Sequence, residues 1–101
     1  MIFRVIHDLE AMAEFREAVA WYESKAEGLG TCFVLEVDSV MAAISSQPFR
    51  FSLAGRKSRK ARVLGWPYTI YFAVNEEHRE IKVIAVWHGA RNPAELRRRL
   101  K

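Results

Sequence analysis

Hydrophobic positions in the first half of the chain recur with the period of an α-helix. A short apolar run, MIFRVI, is typical of a β-strand, and apolar side chains at 9–27 then follow every three or four residues. The glycines of GLG (28–30) predict the end of this helix. The helical spacing resumes over 29–44 until SSQP ends it. Because the turn is so short, we expect an antiparallel hairpin of two helices.

The second half of the chain changes to the two-residue period of β-strands. KARVLG alternates weakly, PYTIYFAV alternates clearly, and EIKVIAVWH follows them. In the last strand, alternation places Ile81, Val83, Ala85 and Trp87 on one face. Successive strands favour an antiparallel arrangement. Asn92 then suits a helix cap, followed by a short basic helix, PAELRRRLK.

These elements predict an α+β fold with the order β-α-α-β-β-β-α. A helical hairpin is expected to pack on a small antiparallel sheet and to leave the other sheet face partly open. A length of 101 residues fits one domain, 1–101. No apolar run reaches the roughly 18 residues of a membrane span, so we expect no membrane partner.

Charge is distributed unevenly between the two halves. Residues 1–55 carry four basic and eight acidic side chains, net −4, whereas residues 56–101 carry twelve and four, net +8. A positive face concentrates polyanions or acidic peptides near it. We therefore expect a target-binding or phosphate-binding surface, with a merely solubilising loop as the alternative. The residues expected to form that surface are Arg56, Lys57, Arg59, Lys60 and Arg62.

Cysteine and histidine usage suggests neither a disulfide nor a metal site. The only cysteine, Cys32, has no partner within the chain, and no Cys/His spacing typical of a metal cluster occurs. We expect no cofactor, no metal and a reduced, cytoplasmic location.

Four segments, taken in order, carry a family resemblance. They are AVAWYE (18–23), GLGTCFVLEVDSVMAAISSQP (28–48), RKARVLGWPYTIYFAV (59–74) and IAVWHGARNP (84–93). Together they resemble the RelE/ParE superfamily of bacterial toxins from type II toxin–antitoxin systems. The resemblance covers nearly the whole chain. It implies a growth-inhibiting protein that a cognate antitoxin neutralises.

The superfamily resemblance implies one of two activities. ParE-like members are associated with poisoning of DNA gyrase, whereas RelE-like members cleave mRNA, usually in the ribosome. WPY with its apolar strand, VWH and ARNP resemble the ParE-like pattern. Thr69 stands where RelE-like ribonucleases carry an arginine, and threonine cannot hold a phosphate charge. A gyrase-binding toxin without catalysis of its own is therefore the first expectation.

Two alternatives stay open. In a RelE-like mRNA endonuclease, His88 would be a general acid or base, Arg91 a catalytic cation, and the basic run would contact phosphates. The structural interpretation of the same residues is that His88 bonds a backbone carbonyl and that Arg91 pairs with Glu95. The other alternative is a non-toxic module that only binds its antitoxin.

Overall fold

The computed structural model describes residues 2–100 and contains the predicted elements in the predicted order. The strands are β1 (Arg4–His7), β2 (Ser58–Val63), β3 (Tyr68–Asn75) and β4 (Glu80–His88). The helices are α1 (Leu9–Lys25), α2 (Leu29–Ser46) and α3 (Pro93–Arg99). One 3-10 turn, Pro48–Arg50, follows α2. The α+β fold class is confirmed.

The four strands form one sheet in the order β1-β4-β3-β2. The pairs β2–β3 and β3–β4 are antiparallel, as predicted. β1 lies parallel to β4, so the sheet is mixed rather than purely antiparallel. Parallel pairing requires a long crossover connection. Here the helical hairpin and the β2–β3 hairpin lie between β1 and β4 in sequence, and they provide that connection.

The helical hairpin covers one face of the sheet and forms the main core with it. Gly30 lets the two helices approach closely, because a Cβ there would lie 2.8 Å from the carbonyl oxygen of Val19. From the helices, the buried core residues are Ala11, Ala18, Tyr22, Phe33, Val37 and Ile44. From the sheet they include Ala61, Val63, Ile70, Phe72, Ile81 and Val83.

α3 packs on the opposite face of the sheet, over β4. Ile84, Ala85, Trp87 and Leu96 form this second, smaller cluster. Tyr71, Ala73 and Leu100 pack against its margin. As a result, the five consecutive residues 83–87 of β4 are all buried. The C-terminal end of α3 reaches the start of β2, where the Ser58 hydroxyl donates to the Leu100 carbonyl at 3.4 Å. Beyond Ser58, Lys60 and Arg62 are exposed, and this part of the face is the open sheet face.

A β-bulge in β4 overturns the predicted strand alternation. Tyr71 pairs with Ala85 and Phe72 pairs with Val83, so Ile84 is an extra residue without a partner. An extra residue reverses the side on which the later side chains lie. Ile81 and Val83 face the hairpin, but Ala85 and Trp87 face α3 instead. The prediction that these four residues share one face was therefore wrong.

The helix α2 is long and apolar enough to cross a membrane by length and composition alone. A core helix of a compact domain passes the same test. Phe33, Val37 and Ile44 of α2 are buried in the main core, so packing against the sheet accounts for these apolar positions, whereas Leu35 is 64% exposed.

Candidate functional site

Two cations of the basic run lie on the open sheet face. β2 spans Ser58–Val63, so Lys60 and Arg62 are strand residues, as the weak alternation of KARVLG predicted. They alternate with Ala61 and Val63, which are buried under the hairpin. Because strand side chains alternate, Lys60 and Arg62 project from the opposite face, and both are exposed.

The loop before β2 extends this positive surface. Arg56 and Lys57 are exposed there, directly ahead of the strand. Within residues 2–100, neither they nor Lys60 and Arg62 form an ion pair with a carboxylate. We call Arg56, Lys57, Lys60 and Arg62 the cationic strip. Its four charges remain available for a ligand.

Neighbouring strands provide polar and aromatic groups beside the cationic strip. Tyr71 pairs with Lys60 and Thr69 pairs with Arg62 across the β2–β3 ladder. Burial raises the pKa of Tyr71 above its ordinary value of 10.0, so its phenol stays protonated at neutral pH. Tyr71 can therefore donate a hydrogen bond to a phosphate oxygen, but it cannot accept a proton as a base.

Arg59 belongs to the same run in sequence but faces the other way. Its guanidinium donates hydrogen bonds to the carbonyls of Phe51, at 2.6 Å, and Phe49, at 3.4 Å. It also lies over the Phe49 ring, 5.2 Å from the centroid. Arg59 thus ties the segment after α2 to the edge of β2. The structure separates it from the other predicted target-binding residues.

His88 and Arg91 line one pocket of about 350 Å³, two strands across the sheet from β2. We call this the edge pocket. The ring of His88 lies edge-to-face with Tyr68, at 5.1 Å between centroids. Its Nδ1 accepts a hydrogen bond from the Ala90 N–H at 3.0 Å. The pocket is lined by Glu14, Glu17, Ala18, Trp21, Tyr22, Tyr68, Val86, His88 and Arg91.

The bulge places His88 on the hairpin side of the sheet, away from the cationic strip. Val86, which has the same alternation as His88, belongs to the main core. His88 therefore shares a pocket with Arg91 but not a sheet face with Lys60 and Arg62. The predicted ribonuclease set of His88, Arg91 and the basic run does not form one compact site.

Arg91 is already paired. Its guanidinium forms ion pairs with Glu14 and, at 3.4 Å, with Glu95. It also lies 3.7 Å above the Trp87 ring. The pairing with Glu95 is the structural interpretation of Arg91 that the sequence suggested. The additional partner, Glu14, was not predicted.

Glu14 connects α1, β4, α3 and the loop that carries Arg91. Its carboxylate accepts hydrogen bonds from the Val86 N–H at 3.0 Å and from the guanidiniums of Arg99 and Arg91. Arg99 also donates to the Ile84 carbonyl at 2.6 Å. Burial by itself would raise the pKa of Glu14, but these hydrogen bonds outweigh burial and hold the pKa below its ordinary 4.5. Glu14 and Arg99 thereby cover the edge of β4 beyond the end of β1.

Sequence analysis missed Glu14, although the pattern contained a signal. The buried residues of α1 are Ala11, Ala18 and Tyr22, and Glu14 continues their spacing of three and four. A carboxylate on the core-facing stripe of a helix indicates a buried partner, because an unpaired buried charge is costly. Within residues 2–100, no three His, Cys, Asp or Glu side chains group closely enough to hold a metal ion.

Comparisons with known proteins reveal similarity at the level of structure. No protein-family model and no curated protein matches the chain by sequence. The Escherichia coli toxin RelE, as a mutant with two arginine-to-alanine substitutions in the free state, superimposes with a TM-score of 0.72 at 18% identity. That match covers 98% of this chain and 94% of the RelE chain.

Two further solved structures agree with it. Isolated E. coli RelE gives a TM-score of 0.67 at 18% identity, covering 98% of this chain and 99% of that one. A chain of the toxin–antitoxin complex RelBE2 from Mycobacterium tuberculosis gives 0.63 at 16% identity, covering 87% and 99%. The chain therefore has the α+β fold of the RelE toxins.

Proposed function

We propose that this chain is the toxin of a type II toxin–antitoxin pair and that it acts on RNA bound at the cationic strip. The likeness to RelE toxins over nearly the whole chain supports the toxin assignment. The M. tuberculosis relative is part of a toxin–antitoxin complex, which supports a cognate antitoxin as the partner.

The observation that carries the RNA proposal is the cationic strip on the open sheet face, which makes no ion pair within residues 2–100. Lys60 and Arg62 are two residues apart on one strand, which separates them by about 7 Å. Cations in this arrangement neutralise successive phosphates of a single strand. They would also stabilise the charge that develops when a 2′-hydroxyl attacks the adjacent phosphate.

The cationic strip has groups that can bind RNA and stabilise negative charge, but within the described residues it has no group beside it that can accept a proton at neutral pH. Tyr71 is a donor at neutral pH, and His88 lies on the other side of the sheet. Thr69 adds no cation beside Arg62. Loss of one preorganised charge-stabilising group costs about a hundredfold in rate. We therefore expect cleavage slower than at a site with arginine in that place.

A second candidate is the ParE-like activity, binding of DNA gyrase without catalysis. Two observations favour it. Thr69 lacks the charge expected of a ribonuclease, and Glu14 and Glu95 already neutralise Arg91. Under this alternative the cationic strip would contact an acidic surface of the enzyme or its DNA rather than RNA.

Controlled expression of the chain separates these candidates when growth, transcript integrity and plasmid topology are measured together. The informative variant is Lys60→Ala/Arg62→Ala. Its matched control is Arg16→Ala/Arg50→Ala, which removes the same charge from exposed positions elsewhere. For the RNA-acting toxin we expect growth arrest with transcripts cut at defined sites. The double substitution in the strip should reduce cleavage at least tenfold, and the control should leave it unchanged.

Other outcomes would contradict the proposal in distinct ways. Growth arrest with intact transcripts and altered supercoiling would establish the gyrase candidate instead. The absence of growth arrest in a folded chain that still binds an antitoxin would indicate the non-toxic module. Equal cleavage by the strip variant and its control would show that RNA binds elsewhere.

A further inference from the structure

The proposed action at the cationic strip leaves the edge pocket unused. β1 ends at His7, and its last ladder bond runs from the Asp8 N–H to the Val83 carbonyl at 2.9 Å. β4 continues for five more residues, to His88. Among residues 2–100, the edge of β4 beside the pocket therefore has no neighbouring strand.

Two backbone groups on this edge point away from β3, in a part of β4 where Val86 is 4% exposed. Gly89 donates to the Pro67 carbonyl, and Val86 donates outward to Glu14. Because bonding alternates along an antiparallel ladder, the Val86 carbonyl and the His88 N–H also point outward, toward the pocket. They lie directly after the positions that Glu14 and Arg99 cover. An extended peptide can pair with one acceptor and one donor in this arrangement.

The walls of the edge pocket are aromatic and meet at steep angles. Trp21 and Tyr22 lie 5.2 Å apart between centroids with planes at 83°, and Tyr22 and Tyr68 lie 6.3 Å apart at 66°. Trp21 is 56% exposed, which is unusual for so large an apolar side chain. Lys25 already places its Nζ 4.9 Å from the centre of the Trp21 ring. Such rings attract cations through their π faces.

The charges around the pocket favour a cation as well. Arg91 and Arg99 are both paired with Glu14, and Arg99 lies near Glu10 at 3.7 Å. Glu17 also lines the pocket and is exposed. Among residues 2–100 it makes no ion pair. The surrounding helical hairpin belongs to the half of the chain with net charge −4.

We propose that the edge pocket binds an arginine or lysine side chain from an extended basic segment of a partner protein, while that segment pairs its backbone with Val86 and His88. The aromatic walls would hold the cation, Glu17 would neutralise it, and the β4 edge would fix the direction of the peptide. This surface includes Glu14 and Glu17 of α1 and does not depend on the action proposed for the cationic strip.

The test uses a defined probe, the peptide acetyl-Ala-Thr-Arg-Thr-Ala-amide, titrated into isotopically labelled full-length protein and followed by amide and indole NMR shifts. The expected result is a set of shifts centred on the His88 amide and the Trp21 indole. The same peptide with citrulline in place of arginine has the same shape without the charge. It should bind at least fivefold more weakly.

Two variants with equal charge changes complete the test. Glu17→Gln should weaken binding of the arginine peptide about fivefold. Glu36→Gln, at an exposed position on α2, should leave it unchanged. Equal binding of the arginine and citrulline peptides would overturn the proposal. So would equal effects of the two variants, or shifts centred on the cationic strip instead of His88 and Trp21.

Discussion

Arg59 and Lys60 are neighbours in sequence with opposite surroundings. The guanidinium of Arg59 is bound to two backbone carbonyls, whereas Lys60 is exposed on the open face. The same contrast runs through the basic half of the chain. Arg59, Arg91 and Arg99 are anchored cations, and the cationic strip is unpaired within residues 2–100. Within β2, strand phase rather than the number of charges decides which cations can serve a ligand.

The two sets differ in what they contribute to stability. An anchored cation compensates buried or partly buried acceptors, so its removal leaves those acceptors unsatisfied. An exposed cation without a partner contributes little to stability. Substitutions should therefore separate the sets, with anchored positions controlling folding and the strip controlling binding.

The largest effect is expected at Arg99, whose side chain is only 15% exposed. Arg99→Ala leaves the Ile84 carbonyl without this donor and removes one of the partners of Glu14. We expect the free energy of unfolding to fall by about 3 kcal/mol, with a loss of roughly 15 °C in Tm. Thermal and urea denaturation measure this. Arg98→Ala, at an exposed neighbour, is the control, and equal losses in both variants would contradict an anchoring role.

The next largest effect concerns Glu14 and the loss of folding stability at acidic pH. The pKa of Glu14 is lower in the folded chain than its ordinary 4.5. Its contribution is therefore fully present above pH 4.5 and is lost as the pH falls through the folded pKa. Glu14→Gln should cost about 2 kcal/mol at pH 7.

Urea titrations between pH 3 and pH 7 test this assignment. The Glu14→Gln variant should lose less stability on acidification than the wild type, because the substituted amide does not titrate. Glu36→Gln should follow the wild-type profile. If Glu14→Gln lost as much stability as the wild type between pH 7 and pH 3, other carboxylates would govern the acid dependence.

The smallest effect tests whether the open face can accept another cation. Thr69 pairs with Arg62 on one side and Trp87 on the other. Thr69→Arg should raise affinity for a single-stranded RNA oligonucleotide severalfold. It should also steepen the log–log salt slope by about 0.7, the contribution of one phosphate contact. Fluorescence anisotropy at several salt concentrations measures both quantities.

Ala20→Arg adds the same charge at an exposed position on α1, outside the sheet face. It therefore reports the effect of net charge alone. If the two variants bind RNA equally, the open face is not the RNA-binding surface.

Hydrophobic periodicity predicted the elements because each helix and strand has one face buried and one exposed. The hairpin of α1 and α2 and the antiparallel order of β2, β3 and β4 follow from local spacing and short connections. The parallel pairing of β1 with β4 depends on contacts between distant residues. No local pattern encodes them.

The candidate site was less predictable for the same reason. A single added residue, Ile84, reverses the faces of the residues after it, and an apolar residue in an apolar run gives no signal of a bulge. A hint was present in VIAVW (83–87), because five consecutive apolar residues indicate a strand covered on both faces. Strict alternation instead assigned Trp87 to the same face as Ile81 and Val83. The partnership of Glu14 with Arg91 and Arg99 joins residues more than seventy positions apart.

The bulge at Ile84 also sets how substitutions would be tolerated along β4. Up to Val83 the odd-numbered positions face the hairpin core, and from Val86 the even-numbered ones do. If every position of β4 were substituted in turn, the sensitive positions would therefore be odd-numbered up to Val83 and even-numbered from Val86 on the hairpin side. Deleting Ile84 would restore a regular ladder and leave every later side chain in its present layer, because Val83 and Ala85 would then alternate between the two faces. A chain shortened there would lose the Ile84 side chain from the smaller cluster and keep the fold.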